Sequence, residues 1–141
     1  MNEVINMVGE VEILLNGKVA LEKKNLIVQV GKNFLANAII NSSTSPFVGM
    51  AIGTGTTPAS TSDTTLQTEL VRAAFTSSSV STNVVSLSNT YAAGVGTGAI
   101  TEAGIFTNAT SGGTMLSHVV FSAVNKGSLD TLTINWTITV G

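Results

Sequence analysis

His118 is the only imidazole in the chain, and eight Asp and Glu residues are the only acidic side chains available to work with it. Proton-transfer chemistry needs a second titrating group within hydrogen-bond reach of the first. His118 has no nucleophile motif around it, so it reads as a structural or half-exposed strand residue rather than a catalyst. Asp63, Glu69, Glu102 and Asp130 lie far apart and form neither an Asp-x-Asp nor a Glu-x-x-His spacing. A fold that gathered them would offer oxygen ligands for at most a weak calcium site. Glu102 sits among apolar neighbours, which leaves it three roles: a buried ion-pair partner, an acceptor for backbone amides, or a surface charge. With no cysteine there is neither a disulfide framework nor a thiolate metal site.

The glycine-rich segment Gly53-Thr54-Gly55-Thr56-Thr57-Pro58 follows a strand-like run and invites a phosphate-binding reading. A P-loop requires Gly-x-x-x-x-Gly-Lys-Ser/Thr, and a dinucleotide loop requires Gly-x-Gly-x-x-Gly opening a helix. Here no lysine follows and Pro58 closes the segment, so it reads as a backbone bend at a sheet corner. Asn41, Asn108 and Asn135 match the glycosylation pattern, although Asn135 falls inside a strand. Trp136 reads as a core anchor. No catalytic, metal-binding or cofactor-binding residue is assigned, and no cofactor is expected.

The elements that must position these residues are mostly strands. From Thr131 to Val140 threonine and asparagine alternate without a fault with Leu132, Ile134, Trp136, Ile138 and Val140, the pattern of a half-buried strand. Thr114 to Phe121 predicts a strand before it, with Asn125-Lys126-Gly127-Ser128 as the turn of a C-terminal β-hairpin. At the other end, Asn16-Gly17 separates a strand over Glu3 to Leu15, with Ile5, Met7, Val11, Ile13 and Leu15 on one face, from a returning strand over Lys18 to Glu22. This N-terminal hairpin within residues 1–24 is charged, and reads as a solvated face or a docking arm. The spacing of Val30, Phe34, Leu35, Ala38 and Ile39 predicts a helix over about Lys32 to Ile40, packed on a sheet. Thr64-x-x-Gln67 has the form of a capping box and predicts a helical turn over Thr65 to Leu70, with Leu66 and Leu70 inward. Strands are expected over Phe47 to Ile52, Val71 to Phe75, Ser79 to Ser88 and Ala99 to Phe106, with a flexible loop over Gly94 to Gly98. The expected architecture is a single mainly-β domain over residues 1–141, an antiparallel β-sandwich of about 7–9 strands with one short helix packed on it.

Charged residues make up 10% of the 141 residues, against about 25% in an average soluble domain. So little charge, with abundant Ser and Thr, suits a β-protein that covers area against copies of itself or a larger lattice. The six basic residues are scattered, Lys23-Lys24 being the one adjacent pair, and the net charge is −2. Nucleic-acid binding requires a concentrated basic face, so no nucleic-acid partner is expected. No apolar run approaches the roughly 20 residues of a membrane span, and Glu3 stands where a signal peptide carries Lys or Arg, so a soluble, unprocessed chain and no membrane partner are expected.

Three segments carry a resemblance: Asn25-Leu26-Ile27-Val28-x-Val30-Gly31-Lys32-Asn33; Ala51-Ile52-Gly53-Thr54-Gly55-Thr56-Thr57 with Leu66-x-x-Glu69; and Ile100-Thr101-Glu102-Ala103-Gly104-Ile105-Phe106 leading to Phe121-x-Ala123-Val124-Asn125-Lys126. In order and spacing they resemble small virion structural proteins of tailed bacteriophages, a group that includes capsid-decorating (cement) proteins. The Ile100–Phe106 segment also resembles one in tail-collar fibre proteins. The resemblance implies a β-rich fold, no enzyme activity, self-association as a homo-oligomer (by family habit a trimer), the major capsid protein as partner, and a place on the capsid surface of the virion. It transfers no binding residue. The chain lacks the repetitive shaft of a fibre. The alternative is a tail, baseplate or fibre module that binds host-surface carbohydrate through exposed loop residues such as Tyr91.

Overall fold

The computed structural model describes residues 4–141. Glu3, the predicted start of the first strand, lies outside them. The described residues form β1 (Met7–Leu15), β2 (Lys18–Lys24), β3 (Leu26–Ile27), α1 (Gln29–Ala38), β4 (Gly49–Gly53), β5 (Glu69–Ala74), β6 (Ser77–Ser81), β7 (Val84–Tyr91), β8 (Gly98–Phe106), β9 (Met115–Lys126) and β10 (Leu132–Val140). The strands build two five-stranded antiparallel sheets, ordered β2-β1-β10-β7-β6 and β3-β9-β8-β4-β5. This is the expected mainly-β sandwich with one helix, at ten strands.

The alternation of the last strand does what it predicts as far as Ile138, whereas Val140, at its end, is exposed. Leu132, Ile134, Trp136 and Ile138 are buried in the core between the sheets, together with Val11 and Ile13 of β1 and Ile100, Ala103 and Ile105 of β8. The N-terminal hairpin also forms. Asn16 and Gly17 take positive φ, 52° and 80°, and β1 pairs with β2 on one side and β10 on the other. The hairpin is therefore integral to its sheet. Ile5 does not join the buried face: it precedes β1 and is exposed.

The predicted C-terminal hairpin does not exist. β9 pairs with β8 in one sheet, while β10 lies between β1 and β7 in the other. The turn residues reverse the chain, and Asp130 ties the reversal to a second turn. Its Oδ2 accepts from the Gly127 N–H at 2.7 Å, and its Oδ1 accepts from the Asn16 side chain at 2.9 Å. The Thr131 N–H in turn donates to Asn16 Oδ1 at 3.0 Å. The turn is thus fastened to the Asn16-Gly17 turn of the opposite sheet, and the chain crosses over.

Three further expectations are corrected. Ser79 to Ser88 is two strands, β6 and β7, joined through Thr82 at φ 56°. Residues Thr65 to Thr68 form no helix, and Leu70 is an exposed residue of β5. The helix starts three residues earlier than predicted and takes in Gly31, while Ile39 and Ile40, past its end, are exposed. Gly31 is the contact point on β9: a Cβ there would lie 2.6 Å from the Leu116 carbonyl oxygen. Glycine lets the helix backbone approach the sheet this closely.

Candidate functional site

β8 is the third strand of its sheet, between β9 and β4, so any polar side chain it turns away from the main core needs a cover and partners. Ladder irregularity between Ile100 and Glu102 turns the strand, so Ile100 joins Ala103 and Ile105 in the main core, whereas alternation groups it with Glu102. Glu102 and Gly104 are left beside a small second core of Val28, Ala51, Leu66, Phe106 and Met115. The segment from Thr54 to Thr68 closes over this face.

Glu102 is fully buried and saturated with donors. Its Oε2 accepts from the backbone N–H of Gly55 at 2.7 Å and of Thr68 at 2.8 Å. Its Oε1 accepts from the N–H of Gln67 at 2.9 Å and from His118 Nε2 at 2.8 Å. Glycine at 53 and 55 is a steric requirement, because a Cβ would stand 2.8 Å and 2.4 Å from Oε2 respectively. The glycine-rich loop contributes one N–H, that of Gly55, to a cradle completed by Gln67, Thr68 and His118, and the anion held there is the chain's own carboxylate. Thr101 reinforces the loop by donating its hydroxyl to the Gly55 carbonyl at 2.6 Å. Gln67, the expected capping-box residue, instead bridges the covering segment: its side chain accepts from the Thr57 N–H at 2.8 Å and donates to the Thr57 carbonyl.

His118, on β9, is fully buried rather than half-exposed. Its Nδ1 meets Asp63 Oδ2 at 2.7 Å while its Nε2 meets Glu102. Asp63 also accepts from the Ser60 N–H at 2.8 Å, which shapes the loop carrying it. Two carboxylates on one ring are both served only when both ring nitrogens carry protons, the doubly protonated imidazolium. Burial pushes the Glu102 carboxyl upward, but hydrogen bonds from the Thr68 and Gln67 N–H groups, the His118 ring and the Gly55 N–H outweigh it and hold the group below the ordinary 4.5.

This Asp63–His118–Glu102 chain has the look of a base and its orienting carboxylate, but its chemistry is different. A general base must present a nitrogen lone pair to a nucleophile. Both His118 nitrogens are held by carboxylates, and the ring is closed from solvent. The arrangement is a clamp that fixes a long irregular segment onto a sheet. Among the described residues no group of three or more His, Asp or Glu side chains is placed to hold a metal ion.

The other sequence candidates are dispersed. Glu69 pairs with Arg72 at 2.7 Å, and the Arg72 guanidinium also lies over the Phe106 ring at 3.7 Å. Asp130 is the turn anchor described above. Asn41 and Asn108 accept from backbone N–H groups two residues ahead, and Asn135 bonds Ser88 and Glu12 on the face of its sheet. Tyr91, the residue expected to stack on a sugar, is buried, and its hydroxyl donates to the Met50 carbonyl at 2.7 Å. Burial pushes its phenol upward. Lys126, which drew no expectation as an ionisable group, is buried with its Nζ donating to the Ala92 carbonyl at 2.9 Å.

Compared with family models, curated proteins and solved structures, the chain finds no match.

Proposed function

We propose that this chain is a structural protein of a tailed-phage virion, a decoration (cement) protein that self-associates, as a trimer, on the outside of the head and clamps neighbouring capsid subunits. The observation that carries this reading is the outward face of the β2-β1-β10-β7-β6 sheet. Cross-strand register lines up Lys24, Glu10, Thr137, Ser86 and Ser79 in one row, and Glu22, Glu12, Asn135, Ser88 and Ser77 in the next. Past the four charged positions on β2 and β1, the rows across β10, β7 and β6 are short, uncharged side chains. Such a face can be covered by another protein with little loss of rotamer freedom, and its hydroxyls can re-pair across the contact. Repeated at many contacts, covered area of this kind adds to the free energy of opening a shell. The resemblance of the three quoted segments supplies the choice of particle.

The Ile100–Phe106 resemblance to tail-collar fibre proteins supports the second reading, a tail, baseplate or fibre module. Copy number in purified particles separates the two, measured by quantitative mass spectrometry against the major capsid protein. Near-stoichiometric abundance is the expected result. An abundance of a few per cent would move the chain to the tail, and absence from particles would overturn both readings.

A further inference from the structure

At one side of the sandwich two strand edges are free. β2 is the outermost strand of its sheet. In the other sheet β3 is outermost, but it is two residues long and covers only Ser117 and His118 of the twelve-residue β9. From Val119 onward no strand among the described residues is hydrogen-bonded to that edge of β9, where Val119 and Phe121 are buried and Val120 is half-buried. The chain explains the gap: β2 ends at Lys24, and the backbone passes through Asn25 into β3, so it crosses between the sheets instead of extending along β9. An open groove of about 530 Å³ lies there, lined by Lys23, Lys24, Asn25, Pro58 and the β9 segment His118 to Phe121. That volume falls within the range of ligand clefts, roughly 300–1,000 Å³.

We infer that this groove accepts an extended, acidic segment of a partner protein, which adds as a strand to the edge of β9 at Val119–Phe121, in line with β3. An exposed sheet edge supplies backbone donors and acceptors at the spacing a strand requires. The charge of the occupant follows from the lining. The lysines on the groove are Lys23 and Lys24, of which Lys24 stands across from Glu10 of β1, in a chain whose net charge is −2. Register places Lys23 opposite the buried Val11, on the face of β2 turned toward the gap between the sheets. Asn25 lies beside them, its side-chain amide buried against Gly9 of β1 and without a hydrogen bond among the described residues. The clamp holds one wall of the groove in place, since Pro58 belongs to the segment that Glu102 and His118 fasten down. The inference does not depend on the virion reading, and applies to a partner in any assembly.

The test uses the full chain labelled with nitrogen-15 and a synthetic peptide, acetyl-Glu-Thr-Val-Asp-Val-Thr-Glu-amide, titrated while backbone amide shifts and exchange rates are followed. The expected result is shift changes and slowed exchange confined to Val119–Phe121 and Lys23–Leu26. Replacing the central Asp of the peptide by Pro removes a strand donor and should abolish binding. Lys23→Glu, a change at an exposed side chain, should weaken the acidic peptide about tenfold and restore a lysine-substituted one. Perturbation elsewhere, undiminished binding of the proline peptide, or no binding at millimolar peptide would overturn the proposal. Concentration-dependent shifts of the same amides without peptide would also overturn it, by making a second copy of this chain the occupant.

Discussion

At the scale of the residue, Glu102 carries more structure than any other side chain, because one carboxylate satisfies three backbone N–H groups and a histidine. Glu102→Ala leaves those donors buried without an acceptor, and the loss should be roughly 3–5 kcal/mol. Glu102→Gln keeps one acceptor oxygen but points an NH₂ group at other donors, so an intermediate loss of about 1–3 kcal/mol is expected. Urea unfolding measures both. The pH dependence has a fixed sign. The folded carboxyl titrates below the ordinary 4.5, so its stabilisation is fully present above that value and disappears as pH falls through the folded value. The gap in urea midpoint between the native chain and Glu102→Gln should therefore be widest near neutrality and close in acid. A gap independent of pH would mean that the carboxylate charge contributes nothing.

At the scale of the element, helix α1 is seated by a glycine. Ala exceeds Gly in helix propensity by about 1 kcal/mol, so sequence reasoning alone expects Gly31→Ala to stabilise. In the fold a Cβ at this position would meet the Leu116 carbonyl oxygen at 2.6 Å and Leu116 Cα at 2.8 Å. Both obstacles are backbone and cannot rotate aside, so overpacking of roughly 1–3 kcal/mol should win. Gly31→Ala is predicted to lower the thermal midpoint. An unchanged or raised midpoint would mean that the helix shifts freely on β9. Leu35 packs against the main core and Val30 against the second one, so the displacement should be felt in both.

At the scale of the whole molecule, one strand joins the ends of the chain. β10 is the central strand of its sheet, between β1 and β7, and brings Trp136 into the core at 0% exposure. Trp136 is the only tryptophan, so its emission reports on the packing between sheets, while far-UV circular dichroism reports on the strands themselves. Both sheets pack into the main core, so they should unfold as a unit, and the two signals should give coincident urea transitions. Two separated transitions would show that the sheets come apart before they unfold. Because β10 completes its sheet only when the last residues are present, folding depends on pairing between the two ends of the chain. Such non-local contacts slow folding relative to helical domains of similar size.

Much of this architecture was legible in the amino-acid order. Alternation from Thr131 to Val140 fixed the buried face of β10, because a period of two admits one inward set. Asn16-Gly17 fixed the first hairpin, because both residues tolerate the positive φ that the turn requires. What stayed hidden was decided by contacts distant in sequence. The residues from Asn125 to Ser128 mark a reversal, yet β10 buries its apolar face between β1 and β7 in the opposite sheet, and Asn16, more than a hundred residues away, pairs with Asp130 at the crossing. Thr64-x-x-Gln67 has the local form of a helix start, but the Thr68 N–H, which would close the first turn onto the Thr64 carbonyl, is given to Glu102, and one hydrogen cannot serve both. The glycines at 53 and 55 were visible as a loop, and Glu102 as an acid out of place among apolar neighbours. Only the fold could show that each explains the other, since the carboxylate occupies the space the missing side chains leave.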